Sequence, residues 1–168
     1  SKTSKAPRSA PRPAAQRPRP KASRPATRSR GTHRPPRERP AAASGRLRWR
    51  WPVQGPVLAR WKAGDPLRKG IKIGGRAGAP VRAAEAGKVV YSGSGLIGYG
   101  RLIIIKHNDN YLSAYGHNRK LLVEQGQLVT RGQKIAEMGR ANDGRAMLHF
   151  EIRRNGKPVD PLRLLPRR

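Results

Sequence analysis

Residues Gly98–His117 read GYGRLIIIKHNDNYLSAYGH, and the parsing of that stretch decides the fold. Leu102–Ile105 is a continuous apolar run, Lys106–Asn110 is rich in turn formers, and Tyr111–Tyr115 runs Tyr-Leu-Ser-Ala-Tyr. Two β-prone runs with Asn and Asp between them predict a β-hairpin. Ile103, Ile104 and Ile105 in succession suit a strand covered on both faces in mid-sheet. The return strand is expected to deliver His117 just past its end. His107, at the turn, reads as structural.

Working outward, the flanking segments have the same character. Upstream, Trp51–Val57 predicts a short strand before a Gly-Pro turn, and Leu58–Trp61 a second one. Lys62–Lys69 reads as loop. Gly70–Gly74 alternates, placing Ile71 and Ile73 on one side and Lys72 on the other. Ala79–Ala83 and Gly87–Ser92 predict strands around a turn at Ala84–Gly87. Downstream, Leu121–Val123, Leu128-Val129 and Lys134–Gly139 are short strands between Gly turns. In Met147–Arg153, Leu148, Phe150 and Ile152 share one face, and Met147, His149, Glu151 and Arg153 share the other. Asn155-Gly156 is a strong hairpin signal, and Val159–Leu162 ends in a short turn. Gly78–Val89 is echoed by Gly126–Ile135, each a G-x-x-V, a Gly turn and a basic-plus-aliphatic pair. That cadence is suggestive of interlocked turns in a barrel-sandwich hybrid. Short strands punctuated by Gly, with no sustained helical period, predict an all-β sandwich or barrel.

The 168-residue chain carries 38 Lys+Arg against 9 Asp+Glu, a formal charge of +29. Such a charge implies polyanionic surroundings: nucleic acid, anionic lipid or cell-wall polymer. The absence of cysteine excludes disulfides and thiolate metal sites. No apolar run approaches the roughly 20 residues that span a bilayer. The opening SKTSKAPRS has no hydrophobic segment, so a leader or lipid-bearing cysteine would lie upstream of it.

Composition divides the chain in two. Residues 1–48 hold 15 Lys+Arg, the single acid Glu38, nine prolines and one large aliphatic residue, Leu47. A segment of that kind is expected to be a disordered, extended basic tail or linker, with His33 a solvated member of it. It has no aromatic residue to stack on bases, which favours a tether over a nucleic-acid arm. Residues 49–168 hold all three Trp, all four Tyr, the one Phe and 17 of 19 Gly, enough for a single folded domain.

The spans G-x-x-V-x-A-x-x-x-G-x-V-V, G-Y-G-x-L-I-I-I-K-H, Y-x-H-N, G-Q-x-I-A-x-M-G and L-H-F-E-I-R occur in this order between about Trp51 and Pro166. Together they resemble a lysostaphin-type (LytM) metallopeptidase domain, and in detail the NlpD-type murein hydrolase activators. The resemblance implies a LytM-type β-sandwich or barrel-sandwich hybrid. Active members are zinc endopeptidases that cut peptidoglycan cross-links. Their H-x-x-x-D motif and the second His of H-x-H supply three metal ligands. The first His of that pair and the His of Y-x-H assist proton transfer. By resemblance, the ligand positions fall on Arg68, Lys72 and His149, and the proton-transfer positions on Met147 and His117.

Catalytic zinc needs three protein ligands and an open place for water. Arg and Lys have no lone pair to give, so one ligand of three remains. Each cation at about 4 Å and an effective dielectric near 20 would also repel a unit charge by about 4 kcal/mol. Residues 50–106 contain no histidine, so a shifted alignment rescues nothing. Arg68, Lys72, His117 and His149, with Tyr99 and Met147 beside them, are then expected to form a groove with a positive floor that accepts a carboxylate or an acidic partner helix.

The resemblance implies a non-catalytic, monomeric, peptidoglycan-associated activator of N-acetylmuramoyl-L-alanine amidases in daughter-cell separation. Its setting would be the periplasm of a Gram-negative bacterium, with an outer-membrane lipid tether further upstream. The implied mechanism is docking that displaces an autoinhibitory amidase element. No cofactor is expected. The competing reading is an active zinc endopeptidase with unusual ligands. A basic nucleic-acid-binding protein is a remote third, since the folded part has no RNP, KH or helix-turn-helix signature; no specific nucleic-acid partner is expected.

Overall fold

The computed structural model describes residues 46–168; the expectations for the tail up to residue 45, His33 included, lie outside them. Ten strands form one hydrogen-bonded antiparallel sheet. They are β1 (Val57–Ala59), β2 (Ile71–Gly74), β3 (Pro80–Arg82), β4 (Gly87–Gly93), β5 (Arg101–Lys106), β6 (Tyr111–Leu121), β7 (Leu128–Val129), β8 (Lys134–Met138), β9 (Met147–Arg154) and β10 (Lys157–Val159). The main path runs β1-β2-β9-β6-β5-β4-β7, with β10 on β9 and the β3–β8 pair joined through β6. The all-β reading holds. The sandwich is refined: the β3–β8 leaf is continuous with the main path because β6 pairs with β5, β9 and β8.

The Ile103–Ile105 run lies in β5, between β4 and β6. Ile103 and Ile105 are fully buried there, among Ile71, Ile73, Leu148, Phe150 and Ile152. Asn155 and Gly156 form the two-residue turn between β9 and β10, both with positive φ, 51° and 78°. That is the backbone a tight hairpin of right-handed twist requires. The internal echo has a structural meaning: β3 pairs with β8 and β4 with β7, so the two similar segments clasp each other.

Three local expectations are corrected. Of the strand expected at Trp51–Val57 only Val57 is extended, as the first residue of β1, because Pro52 and Pro56 remove the donors a ladder needs. The lead-in keeps isolated bonds: Arg50 N–H to Ala84 O, Arg82 N–H to Pro52 O and Gly74 N–H to Pro56 O, each 2.9 Å. The hairpin's return strand runs on to Leu121, absorbing the first residue of the strand expected at Leu121–Val123. His117 therefore sits inside β6. The second face of β9 is also covered: Met147, His149 and Glu151 are all buried.

A buried polar chain ties the hairpin to the neighbouring turn. His107 Nδ1 lies 2.8 Å from Ala86 O, and its Nε2 lies 2.7 Å from Ser113 Oγ. Ser113 Oγ is 2.8 Å from Tyr115 Oη, which accepts the Ala84 N–H at 2.8 Å. Burial lowers the His107 pKa and pushes that of Tyr115 up to about 12, so both are neutral at pH 7. A carbonyl only accepts, so His107 carries its proton on Nδ1, and the hydroxyl protons of Tyr115 and Ser113 point in turn toward His107. Trp49 packs edge-on against His107 and Tyr111, with centroids 5.1 and 5.7 Å away. The Tyr115→Phe variant should lose about 1–3 kcal/mol, read by urea denaturation, because the Ala84 N–H is left without its acceptor.

Candidate functional site

An open groove of about 500 Å³ is lined by β2, β6 and β9 and by the loops at 66–69, 97–99 and 141–143. Lys72 and His149 are direct cross-strand partners between β2 and β9. On the other side of β9, His149 is opposite Gly116 of β6. A Cβ at Gly116 would lie 3.1 Å from Tyr99 O, so its absence lets the 93–100 loop settle there. The Tyr99 ring then reaches His149, with centroids 5.7 Å apart. The His117 and His149 rings are 6.1 Å apart.

His117 has φ of 63°, a left-handed backbone in a residue with a side chain. Its N–H donates to Tyr99 O (2.8 Å) and its C=O accepts from Gly139 N–H (2.9 Å). The residues before it, Tyr111–Gly116, pair with β9, and those after it, Asn118–Leu121, pair with β8. His117 is thus the point where β6 exchanges one neighbour for another, which a regular strand conformation could not do. Its pKa is lowered, first by burial and then by His149 and Lys72.

Glu151 is 1% exposed, yet its carboxyl is held down to about 2. Burial alone would raise it; the hydrogen bonds and charges of His149 and Arg153 overcome that. Oε1 accepts from His149 Nε2 (2.8 Å) and Tyr99 Oη (2.9 Å), and Oε2 from Arg153 Nε (2.9 Å). Arg153 Nη2 also donates to Tyr99 Oη at 3.2 Å. An ionised carboxylate only accepts, so the His149 proton is on Nε2. Burial and the Glu151 charge raise the Tyr99 pKa.

The structure redistributes the predicted site residues. Lys72, Tyr99, His117 and His149 line the groove; Arg68 and Met147 do not. Arg68 closes the 62–68 loop through backbone bonds to Lys62 and Asp65 and directs its exposed side chain to Asp65 at 3.9 Å. Lys69 lines the groove in its stead. Met147 is 1% exposed. The floor is also not uniformly positive, since Glu151 and Asp143 belong to it. Glu151 is paired with Arg153, and Asp143 with Arg145 at 3.1 Å. Lys69 and Lys72 have no ion-pair partner among the described residues, so the surplus in the groove is cationic. Leu67 (82% exposed) and Ile97 (100% exposed) stand on its rim. Sequence reading missed both; their signal was a bare aliphatic side chain in a polar loop.

The donor set does not fit a catalytic zinc. Two imidazoles, His117 and His149, face the groove; His149 has Nε2 committed to Glu151, and its cross-strand partner is Lys72, an ammonium at another of the ligand positions. Among the described residues no three His, Cys, Asp or Glu side chains are grouped to hold a metal ion.

Residues 66–161 match the model of Peptidase family M23. The chain belongs to Peptidase family M23. This M23 domain is 61% identical over 120 residues to a Pseudomonas aeruginosa protein named Lipoprotein NlpD/LppB homolog, covering 71% of this chain and 40% of that one. It is 53% identical over 120 residues to Murein hydrolase activator NlpD of Escherichia coli, covering 71% and 32%. The crystal structure of a zinc-containing peptidase from Vibrio cholerae superposes with a TM-score of 0.59 at 34% identity, over 68% of this chain and 39% of that one. The match thus spans less than half the length of either of these two curated relatives. None of its described helices is long and apolar enough to cross a membrane.

Two substitutions probe the site. His117→Gly should be more stable than His117→Ala by about 1–2 kcal/mol in urea denaturation, because only glycine adopts the left-handed backbone at no cost. Glu151 has a folded pKa of about 2 against an ordinary value of 4.5, so its ionised form contributes stability that is present above pH 4.5 and lost as pH falls toward 2. The stability difference between the protein and its Glu151→Gln variant should narrow by up to about 3 kcal/mol over that window; a constant difference would contradict the assignment.

Proposed function

We propose that this M23 domain is a non-catalytic activator that docks a peptidoglycan amidase in the Gram-negative cell envelope. The observation that carries the reading is the groove itself: a cation, Lys72, is the cross-strand partner of His149, and the donor set suits an acidic ligand in place of a metal ion. Its likeness to a protein named Murein hydrolase activator NlpD supports the same reading, as does its likeness to envelope lipoproteins.

In this reading an acidic segment of the amidase lies between Leu67 and Ile97. Its apolar side chains cover those two residues and Tyr99, and its carboxylates meet Lys69 and Lys72. Neutral His117 and the Nδ1 of His149 add polar partners in the groove. Binding there withdraws the segment from the amidase and opens the amidase's own site. Glu151 acts by positioning, since it fixes the His149 ring and the Tyr99 hydroxyl.

Dye release from labelled sacculi tests the reading. The chain alone, with zinc supplied, should release nothing, and it should raise release by the amidase. Lys72→Glu should lower that stimulation at least about tenfold, since an attractive charge contact becomes a repulsive one. Zinc-dependent release by the chain alone, abolished by a chelator, would instead establish the endopeptidase reading.

A further inference from the structure

A second recess, of about 370 Å³, lies between the lead-in to β1 and the turn from β2 to β3. It shares no residue with the groove, and no acidic side chain lines it. Arg50, Arg76 and Arg82 line it together with Trp51. The bonds between Arg50 and Ala84 and between Arg82 and Pro52 lock two of its walls together. Arg82 Nη1 donates to Gly132 O at 3.1 Å. A Cβ on Gly132 would collide with the guanidinium of Arg50, so two guanidinium groups converge on one glycine. Alongside them, Arg131 donates to Arg48 O at 3.2 Å. On Trp51, the Arg168 guanidinium stacks 3.6 Å from the ring centroid.

Nothing among the described residues neutralises this gathering. Arg50, Arg76, Arg82, Arg131 and Arg168 take part in none of the ion pairs. The neighbouring carboxylate, Glu85, is spent on main-chain donors: Oε2 accepts the Arg48 N–H at 2.6 Å and Oε1 the Ala86 N–H at 2.8 Å. Two guanidinium groups brought to one glycine, with Arg76 lining the same recess, offer an anion several charged donors at once. A carboxylate fills one fork and brings one charge. A phosphate brings about −1.5 to −2 charges and three acceptor oxygens, enough for several forks.

We infer that the Arg50–Arg76–Arg82 recess is a binding site for phosphate groups, carried by a membrane-lipid headgroup or by a soluble phosphate. Inorganic pyrophosphate titrated into the full chain at physiological salt, followed by amide NMR, should give saturable shifts confined to the region of Arg50, Arg82 and Gly132. Arg50→Gln/Arg76→Gln/Arg82→Gln should bind at least about tenfold more weakly. The Lys triple at the same positions keeps the charge and loses the forks, and should also bind more weakly. Lys88→Gln/Lys120→Gln/Lys157→Gln, with the same change in charge elsewhere, should stay within about twofold.

Co-sedimentation with phosphatidylglycerol vesicles, against phosphatidylcholine alone, separates the sources. A larger loss in the recess Gln triple than in the control triple assigns the lipid headgroup. An equal loss on vesicles beside a recess-specific loss with pyrophosphate assigns a soluble phosphate. Equal weakening of both Gln triples in both assays, or shifts spread over the whole basic surface, would overturn the proposal.

Discussion

The architecture turns on one backbone conformation. His117 is held left-handed, its N–H fixed by Tyr99 O and its C=O by Gly139 N–H. That single departure lets one long strand serve two parts of the sheet, first against β9 and then against β8. It also lifts the imidazole toward the His149 ring. The conformation costs about 1–2 kcal/mol in a residue with a Cβ, and a cost of that kind persists only where surrounding contacts over-determine it. Here two hydrogen bonds from two different segments do so. Gly139 has to be glycine for the same reason, since a Cβ there would lie 2.4 Å from His117 O.

Beside this pivot, a buried carboxylate sets the chemistry of the groove. Glu151 draws donors from β9 itself and from the 93–100 loop. Fully satisfied buried networks rigidify what they connect, whereas partly satisfied ones destabilise it. Because Glu151 occupies Nε2 of His149, that ring presents a fixed orientation and a fixed tautomer. A metal would need further donors at neighbouring positions, and those positions carry Lys72, whose charge opposes a dication, and Arg68, which the 62–68 loop turns away. The groove has instead two aliphatic rim residues, Leu67 and Ile97, and the ammonium groups of Lys69 and Lys72, which take part in no ion pair among the described residues.

Much of this was legible in the residues, and most of the part that was not has a common cause. Ile103–Ile105 announced a mid-sheet strand, with Ile103 and Ile105 buried and Ile104 half-buried, and Asn155-Gly156 announced the β9–β10 hairpin, because both signals are local. Gly70, two residues before Lys72, fixes the start of β2 against β9, since a Cβ on it would sit 2.2 Å from Phe150 O. The alternation in Met147–Arg153 correctly put His149, Glu151 and Arg153 on one side. It did not reveal that this side is also covered, since the cover comes from Tyr99, 52 residues from Glu151 in sequence. The left-handed turn at His117 depends on Tyr99 and Gly139 in the same non-local way, since both partners lie about twenty residues from it. Arg68 differs: Asp65, which turns it outward, is only three residues away, and the motif spacing alone did not weigh that local pair.

The two ends of the described fold meet at Trp51. Its indole N–H donates to Pro166 O at 2.8 Å, and Arg168 stacks on its ring. Entry and exit thus share one clasp, while the groove draws none of its lining from that clasp. Such a body behaves as a cassette: it can be spliced into or hung from a larger polypeptide by neighbouring attachment points. Tension arriving along the chain would be borne by the indole and its two partners before it reached the His117 pivot, so the groove would keep its shape under mechanical load.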